Sequence, residues 1–280
     1  MTVLLTLLTM LAFAANSLLA RAALAGAAID PVSFTLLRLV SGAAMLAVVM
    51  LWRRGWQGLA ARPGNWISAL CLLGYGIGFS LAYLRLTAAT GALILFAAVQ
   101  ASMMLLAALQ GHHPRRGELL GLAIALAGFV WLMLPGLHTP DRLGAVLMAG
   151  AGAAWGGYSM RGRGGRDPVA ESAGNFLRAA LLCAGMAAPV LLVAAPAIHD
   201  DGAALAVLSG AVTSGLGYVL WYRVLTRLTP IASASVQLTV PVIAAFGGVI
   251  VLGEAMTQRL VLAALVILTG VGLTAIMRAR

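Results

Sequence analysis

Few side chains in this sequence are equipped for chemistry, and those few are mostly rings. Trp155 stands three residues before Tyr158, and Tyr218 three before Trp221, while Tyr75 occupies a third apolar stretch. Residues three apart lie on one face of a helix. In "LGYVLWYRVL", residues 216–225, Tyr218, Trp221 and Tyr222 crowd a chain with only five tyrosines. A phenol deep in an apolar medium needs a partner or water, at a penalty of roughly 1–3 kcal/mol without one. Three aromatic helix faces therefore suggest a shared, partly wet cavity suited to a flat or amphipathic organic molecule. Tyr83 and Tyr222 lie near the ends of apolar runs, where anchoring at an interface is the plainer reading.

Arg38 and Arg178 are charges inside apolar stretches. At membrane depth a charge costs at least ~2.5 kcal/mol on insertion scales, so a functional role is the default. Either arginine could attract a substrate carboxylate. Equally, both could clamp backbone carbonyls at matching places. Asn16, Gln100, Ser102 and Gln237 are polar residues in similar surroundings, available to a substrate or to helix–helix hydrogen bonding.

Other chemistry is missing from the pattern. His112, His113, His138 and His199 fall between the apolar runs, no HExxH pair occurs, and no Asp or Glu lies deep in a run. Neither an embedded metalloprotease nor a serine hydrolase with a buried base fits. A carboxylate proton relay is likewise not visible. No phosphate-cradling loop is present, and no metal or cofactor is expected. The sequence is not that of an enzyme.

The elements that must position these residues follow from composition. Of 280 residues, 62% are hydrophobic and 9% charged, against roughly 25% charged in soluble domains. The apolar residues form ten blocks near the ~20 residues needed to cross a bilayer: roughly 3–24, 32–52, 66–86, 91–110, 117–136, 143–161, 170–195, 203–226, 231–252 and 257–278. Lipid satisfies no open backbone, and these blocks lack the alternation of barrel strands. The predicted class is all-α and polytopic, with ten transmembrane helices. Pro189 and Pro241 interrupt blocks seven and nine and predict kinks. "AFAANS" mimics a signal cleavage site, but no basic residue precedes it, so the first helix is expected to be retained. Cys71 and Cys183 read as small packing residues, not a disulfide pair.

The net charge of +10 is not a nucleic-acid patch. Arg53, Arg54 and Arg62, then Arg115 and Arg116, then Arg161, Arg163 and Arg166, then Arg223 and Arg227, and finally Arg278 and Arg280 occupy alternate loops. The intervening loops hold Arg21, Arg85, Arg142 and Arg259 beside Asp30, Asp141, Asp200, Asp201 and Glu254. That asymmetry predicts both termini on the cytoplasmic side of an inner membrane. Trp52, Trp56 and Trp66 flank the first basic loop and fit an interfacial belt.

A shift of about 140 residues superimposes the halves in several places. "FTLLR" (34–38) falls on "GNFLR" (174–178), matching Arg38 with Arg178, and "GFSLAYLRL" (78–86) on "GYVLWYRVL" (217–225), matching Tyr83 with Tyr222. Gly111 and Gly128 match Gly253 and Gly270. The implied repeats are 1–137 and 138–280. Five crossings is an odd number, so the second copy lies inverted, an arrangement that places a substrate site near the midplane.

The sequence resembles the drug/metabolite transporter superfamily in its ten-helix EamA-type branch. The resemblance spans the whole length and rests on "NSLLARAALAGAAIDPVSFTLLR", "AAWGGYSMRGRGG" and "PVIAAFGGVIVLGEAMTQ". "GYGIGFSLAY" and "GLGYVLWY" look like the corresponding helices of aromatic amino acid exporters in that branch. The resemblance implies an inner-membrane exporter of amino acids and related metabolites that alternates access between two five-helix halves. It puts Tyr75, Trp155, Tyr158, Tyr218 and Trp221 at cavity positions, with Phe13 where an aromatic is usual. Val99 departs from a proline whose counterpart Pro241 remains, and His112 from a glutamate that Glu254 retains. With Asn16 and Arg38 these form the candidate substrate site. The expected partners are a small-molecule substrate and the lipid bilayer. An exporter of drugs or other metabolites, or a non-transporting scaffold, remains open on the same residues.

Overall fold

A computed structural model describes residues 2–60, 64–111, 115–133, 140–163, 167–193 and 196–278. Arg62, His112, His113, His138, Arg166 and Arg280, named above, lie outside them, as does the Trp56 side chain. The helices are α1 (Thr2–Ala25), α2 (Pro31–Ala60), α3 (Trp66–Tyr83), α4 (Ala88–Leu109), α5 (Arg116–Met133), α6 (Arg142–Gly162) and α7 (Pro168–Val193). After them come α8 (Asp200–Leu208), a π-helical turn pair (Ser209–Leu216), α9 (Gly217–Leu225), α10 (Pro230–Gln237), α11 (Val240–Leu252) and α12 (Gln258–Arg278). The stretch from α8 through α9 is one continuous rod, and α10 with α11 forms another, so the described helices make ten rods. Five segments are each long and apolar enough alone to cross a bilayer: Thr2–Ala25, Pro31–Gly55, Trp66–Tyr83, Ala88–Leu109 and Asp200–Leu225. The molecule is an all-α polytopic membrane protein.

Packing is reciprocal between the first five rods and the last five. α4 packs on α6, and its counterpart α11 packs on α1; α3 packs on α6, and α9 packs on α1. α2 meets α7, and α5 meets α12. Exchanging the halves thus maps the first four contacts onto one another in pairs and the last two onto themselves. α6 approaches α4 through small residues: a side chain at Gly152 would strike the Leu95 carbonyl, and one at Gly156 the Ser102 hydroxyl. Close backbone approach of this kind replaces the hydrophobic drive that lipid removes.

Two departures from the expected regular helices bear on the site. Block eight is not uniformly α-helical but contains the π segment. Block nine is not merely kinked: α10 ends at Gln237 and α11 starts at Val240. Pro241 lacks an N–H, and its ring opposes the carbonyl four residues back, which is that of Gln237. α7 by contrast runs through Pro189 without a break.

Outward-facing side chains are apolar, among them Val3, Val48, Leu109 and Ile250, as a lipid solvent requires. Trp52 is 89% exposed and Trp66 56% exposed, in keeping with the expected belt. Tyr83 and Tyr222 are not anchors. Both are buried, because their rings pack inward on Phe79 and on Tyr158.

Candidate functional site

At the centre of the bundle, rings from both sets of rods meet. Phe13 of α1 makes edge contacts with Trp155 (5.4 Å), Tyr218 (6.0 Å) and Trp221 (5.6 Å), and stacks with Phe96 at 6.2 Å. Trp155 lies 4.4 Å from Tyr218 and 5.2 Å from Tyr75. Such pairs contribute about 0.5–1.5 kcal/mol each beyond burial. They also form a ladder through the bundle. It runs from Tyr83 to Phe79, Tyr75, Trp155, Tyr158 and Tyr222 with steps of 4.7, 5.2, 5.2, 5.5 and 5.6 Å. Against the ladder lies a void lined by Phe13, Asn16, Ser17, Tyr75, Leu95, Phe96, Trp155 and Tyr218. Its volume of about 10 Å³ is the room of one water molecule. The partly wet cavity expected from the phenols is, in this conformation, a closed aromatic core.

Behind the void is a polar hub. Arg38 is 3% exposed. Its Nε donates to Ser214 Oγ at 3.0 Å, and its Nη2 donates to the hydroxyls of Tyr75 (3.1 Å) and Tyr218 (2.9 Å). The guanidinium also lies 4.9 Å from the centre of the Tyr75 ring and 4.8 Å from that of Phe79. Hydrogen bonds to a charged group contribute about 1.5–3 kcal/mol each, so three of them offset an insertion cost of ~2.5–3.5 kcal/mol. Asn16 organises the other side. Its Nδ2 donates to Tyr75 Oη at 3.1 Å, and its Oδ1 accepts from Ser209 (2.7 Å), Thr213 (3.1 Å) and Ser214 (3.5 Å).

That convergence depends on the π segment. In an α-helix, residue 214 would point about 140° away from residue 209. The wider i→i+5 turn stacks it near residue 209, so Ser209, Thr213 and Ser214 all reach Asn16. The same segment carries Gly210, where a side chain would strike the Arg38 carbonyl and the Ser41 hydroxyl. Only a bare Cα lets this backbone lie against α2 at Arg38.

The broken ninth rod supplies one further contact. Gln237, the last residue of α10, accepts from Trp155 Nε1 at 2.9 Å and donates to the Ser233 carbonyl at 3.0 Å. The indole at the centre is thus fixed by the residue at the break. Its counterpart rod, α4, is unbroken through Val99.

Contacts between the two sets of rods close the bundle at both ends. At the end opposite the N-terminus, Ile29 and Ile198 form an antiparallel bridge. There Asp30 N donates to the Ala197 carbonyl at 2.9 Å, and His199 N to the Ala28 carbonyl at 2.8 Å. Nearby, both oxygens of Glu254 accept from Ala88 N at 3.0 Å, the first turn of α4. A carboxylate suits the positive end of a helix dipole. Arg21 ties this corner to α1, donating to Glu254 at 3.3 Å and to the Tyr83 carbonyl at 2.9 Å. At the other end, Arg161 donates to Ser68 Oγ (3.2 Å) and Asn65 Oδ1 (3.1 Å), Asn65 N donates to Asn175 Oδ1 (2.9 Å), and Arg54 pairs with Asp167 at 2.8 Å.

Of the residues singled out from sequence, Phe13, Asn16, Tyr75, Trp155 and Tyr218 line the void. Arg38 stands one hydroxyl layer behind it. Trp221 and Tyr158 lie behind the lining rings: the Trp221 indole donates to Ser159 Oγ at 3.1 Å, and Tyr158 packs on Trp155. Gln100 and Ser102 do not line it, and Cys71 and Cys183 are free thiols. Sequence reasoning passed over Phe96, Ser209, Thr213 and Ser214. The three hydroxyl residues had a signal, a polar set in an otherwise apolar, glycine-flanked run.

The sequence pattern of the EamA-like transporter family matches this chain twice, over residues 1–134 and 142–276. An uncharacterized protein of Pseudomonas aeruginosa is 51% identical over 274 residues, covering 97% of this chain and 93% of that protein. A solved crystal structure superimposes with a TM-score of 0.75, covering 99% of each chain at 22% identity, which is a likeness of fold.

Proposed function

This chain belongs to the EamA-like transporter family, and from that premise we propose that it exports amino acids, aromatic or otherwise bulky and apolar, and related metabolites. It does so as a secondary transporter by alternating access between repeats 1–137 and 138–280. The observation that carries the reading is the central void, to which the first repeat contributes Phe13, Tyr75 and Phe96 and the second Trp155 and Tyr218. A site built jointly by two repeats changes shape when they move against each other. Ring faces would bind a ring or a branched apolar body, and the hydroxyls of Tyr75 and Tyr218 its polar head. The positions of Tyr158 and Trp221 behind those rings set the depth of the pocket.

The alternation of basic loops places both termini in the cytoplasm of a bacterial-type inner membrane in this reading. The seam at Ile29 and Ile198 then faces outward, and the Arg161 and Arg54 contacts face the cytoplasm. Entry requires the inner set to part, and release requires the outer seam to part.

Uptake of radiolabelled amino acids into proteoliposomes tests this. Saturable flux of phenylalanine, tyrosine, tryptophan or leucine, reduced at least about tenfold by Trp155→Ala, is the expected result. Absence of flux for every amino acid tried, in vesicles shown to hold folded protein, overturns it.

A further inference from the structure

Resting on the reading of the central void as the transport site, the hub behind it says which chemical class that site accepts. Arg38 keeps its charge in any protein setting, yet among the described residues no carboxylate pairs with it. Every Asp and Glu of the sequence lies in the first turn of a helix or just outside a helix end. One nitrogen of the fork, Nη1, is buried with no hydrogen-bond partner among the described residues.

The bonds that Arg38 does make leave the site rich in donors. Tyr75 Oη accepts from both Arg38 Nη2 and Asn16 Nδ2. With its lone pairs engaged, the proton of that phenol is what remains to be given. Tyr218 Oη accepts from Arg38 in the same way. The amide oxygen of Asn16, an acceptor able to hold an ammonium, is instead occupied by the three hydroxyls of the π segment. Trp155 is a donor only, and its N–H is spent on Gln237. A cation entering here meets like charge and few acceptors, whereas a carboxylate meets a phenol proton at Tyr75, with the unsatisfied guanidinium N–H one hydroxyl layer behind it.

We propose that Arg38, Tyr75 and Tyr218 form a carboxylate receptor, and that the solute carried is an organic acid with a ring or bulky apolar body whose amino group is dispensable. The carboxylate supplies the countercharge that the protein withholds. Arginine always carries its charge and spreads its donors over three nitrogens, so Nε and Nη2 can keep their hydroxyl partners while Nη1 stays available, which a lysine ammonium does not reproduce.

The test uses the full-length protein purified in detergent and four probes that share one ring: phenylpropanoate, phenylalanine, phenylalaninamide and phenylethylamine. Thermal-shift titration gives an apparent affinity for each. The two acids are expected to bind, phenylpropanoate at least as well as phenylalanine, and the amide and amine at least about tenfold more weakly. Arg38→Gln is expected to weaken the acids about 10- to 100-fold without improving the amine. Tyr75→Phe with Tyr218→Phe keeps both rings and guards against a misfolded arginine variant; it should weaken the acids about tenfold. Arg38→Lys should recover only part of the loss. If the amide and amine bind as tightly as the acids, and Trp155→Ala abolishes all four, the aromatic site stands and the carboxylate receptor is overturned. Acid binding unchanged in both Arg38→Gln and the double phenylalanine variant overturns it equally. If none of the four binds, the reading of the void as a site for such molecules falls, and this proposal with it.

Discussion

Arg38 and Arg178 fall at matching places when the two halves of the sequence are aligned, and the structure gives them different surroundings. Arg38 is buried and bonded to hydroxyls from both repeats. Arg178 is half-buried, donates to the Gly174 carbonyl of its own helix at 2.9 Å, and sits 5.6 Å from the ring of the exposed Trp66. The first joins the repeats at their centre, and the second braces one helix near the belt. The difference comes from the partner rod. Against α2 lies a π segment with Gly210 and Ser214, which allows close approach and offers a hydroxyl. Against α7 lies α3, a regular helix that ends on that side in Trp66 and the Asn65 cap. Duplication supplies equivalent positions, but the backbone facing each one decides what it does.

The sharpest way to break this comparison is to remove each charge in turn. Arg38→Gln leaves buried hydroxyls without their donor and should cut amino acid flux in proteoliposomes about 10- to 100-fold. Arg178→Gln should stay within about twofold, as expected for a partly exposed charge. Equal losses from the two would mean that both arginines serve the same structural end. The next largest effect concerns the facing backbone. Gly210→Ala forces a methyl against the Arg38 carbonyl, overpacking that costs about 1–3 kcal/mol. It should lower the unfolding temperature in detergent by several degrees and reduce flux. Gly185→Ala in α7, where an added methyl meets nothing within 4 Å, should leave both unchanged. A smaller shift is expected at the corner held by Glu254. Glu254→Gln keeps the shape but removes the charge from the α4 N-terminus, worth about 0.3–2 kcal/mol. Its unfolding temperature should fall by about 2–4 °C, read by intrinsic fluorescence. A variant as stable as the parent would show that the ion pair with Arg21 adds nothing there.

What could be read beforehand follows the same physics. The ten rods were legible because lipid permits only long apolar helices, and a two-fold pattern because Arg, Tyr and Gly recur at offsets of 139 to 142. Trp155 and Tyr218 were legible because rings three residues from another ring declare a face. Phe96 shows the limit: a phenylalanine in an apolar run looks the same whether it meets lipid or a void, and Phe13 stood out only through the family resemblance. The π segment was hidden for a related reason. Nothing in "SGAVTSGL" has a period of its own, and the close approach of Gly210 to α2 is visible only once the helices are packed. The anchoring role given to Tyr83 and Tyr222 failed because linear position carries no information about the facing helix.

The central claim is that the two repeats move against each other around the rings, which requires the seam at Ile29 and Ile198 to open. In a background carrying Cys71→Ala and Cys183→Ala, Ile29→Cys with Ile198→Cys places two thiols on bridge partners. Such partners stand about 4.5–5.5 Å apart at Cα, within disulfide range. Flux in proteoliposomes should vanish on oxidation and return on reduction. Full flux through the oxidised, demonstrably cross-linked protein would contradict the account.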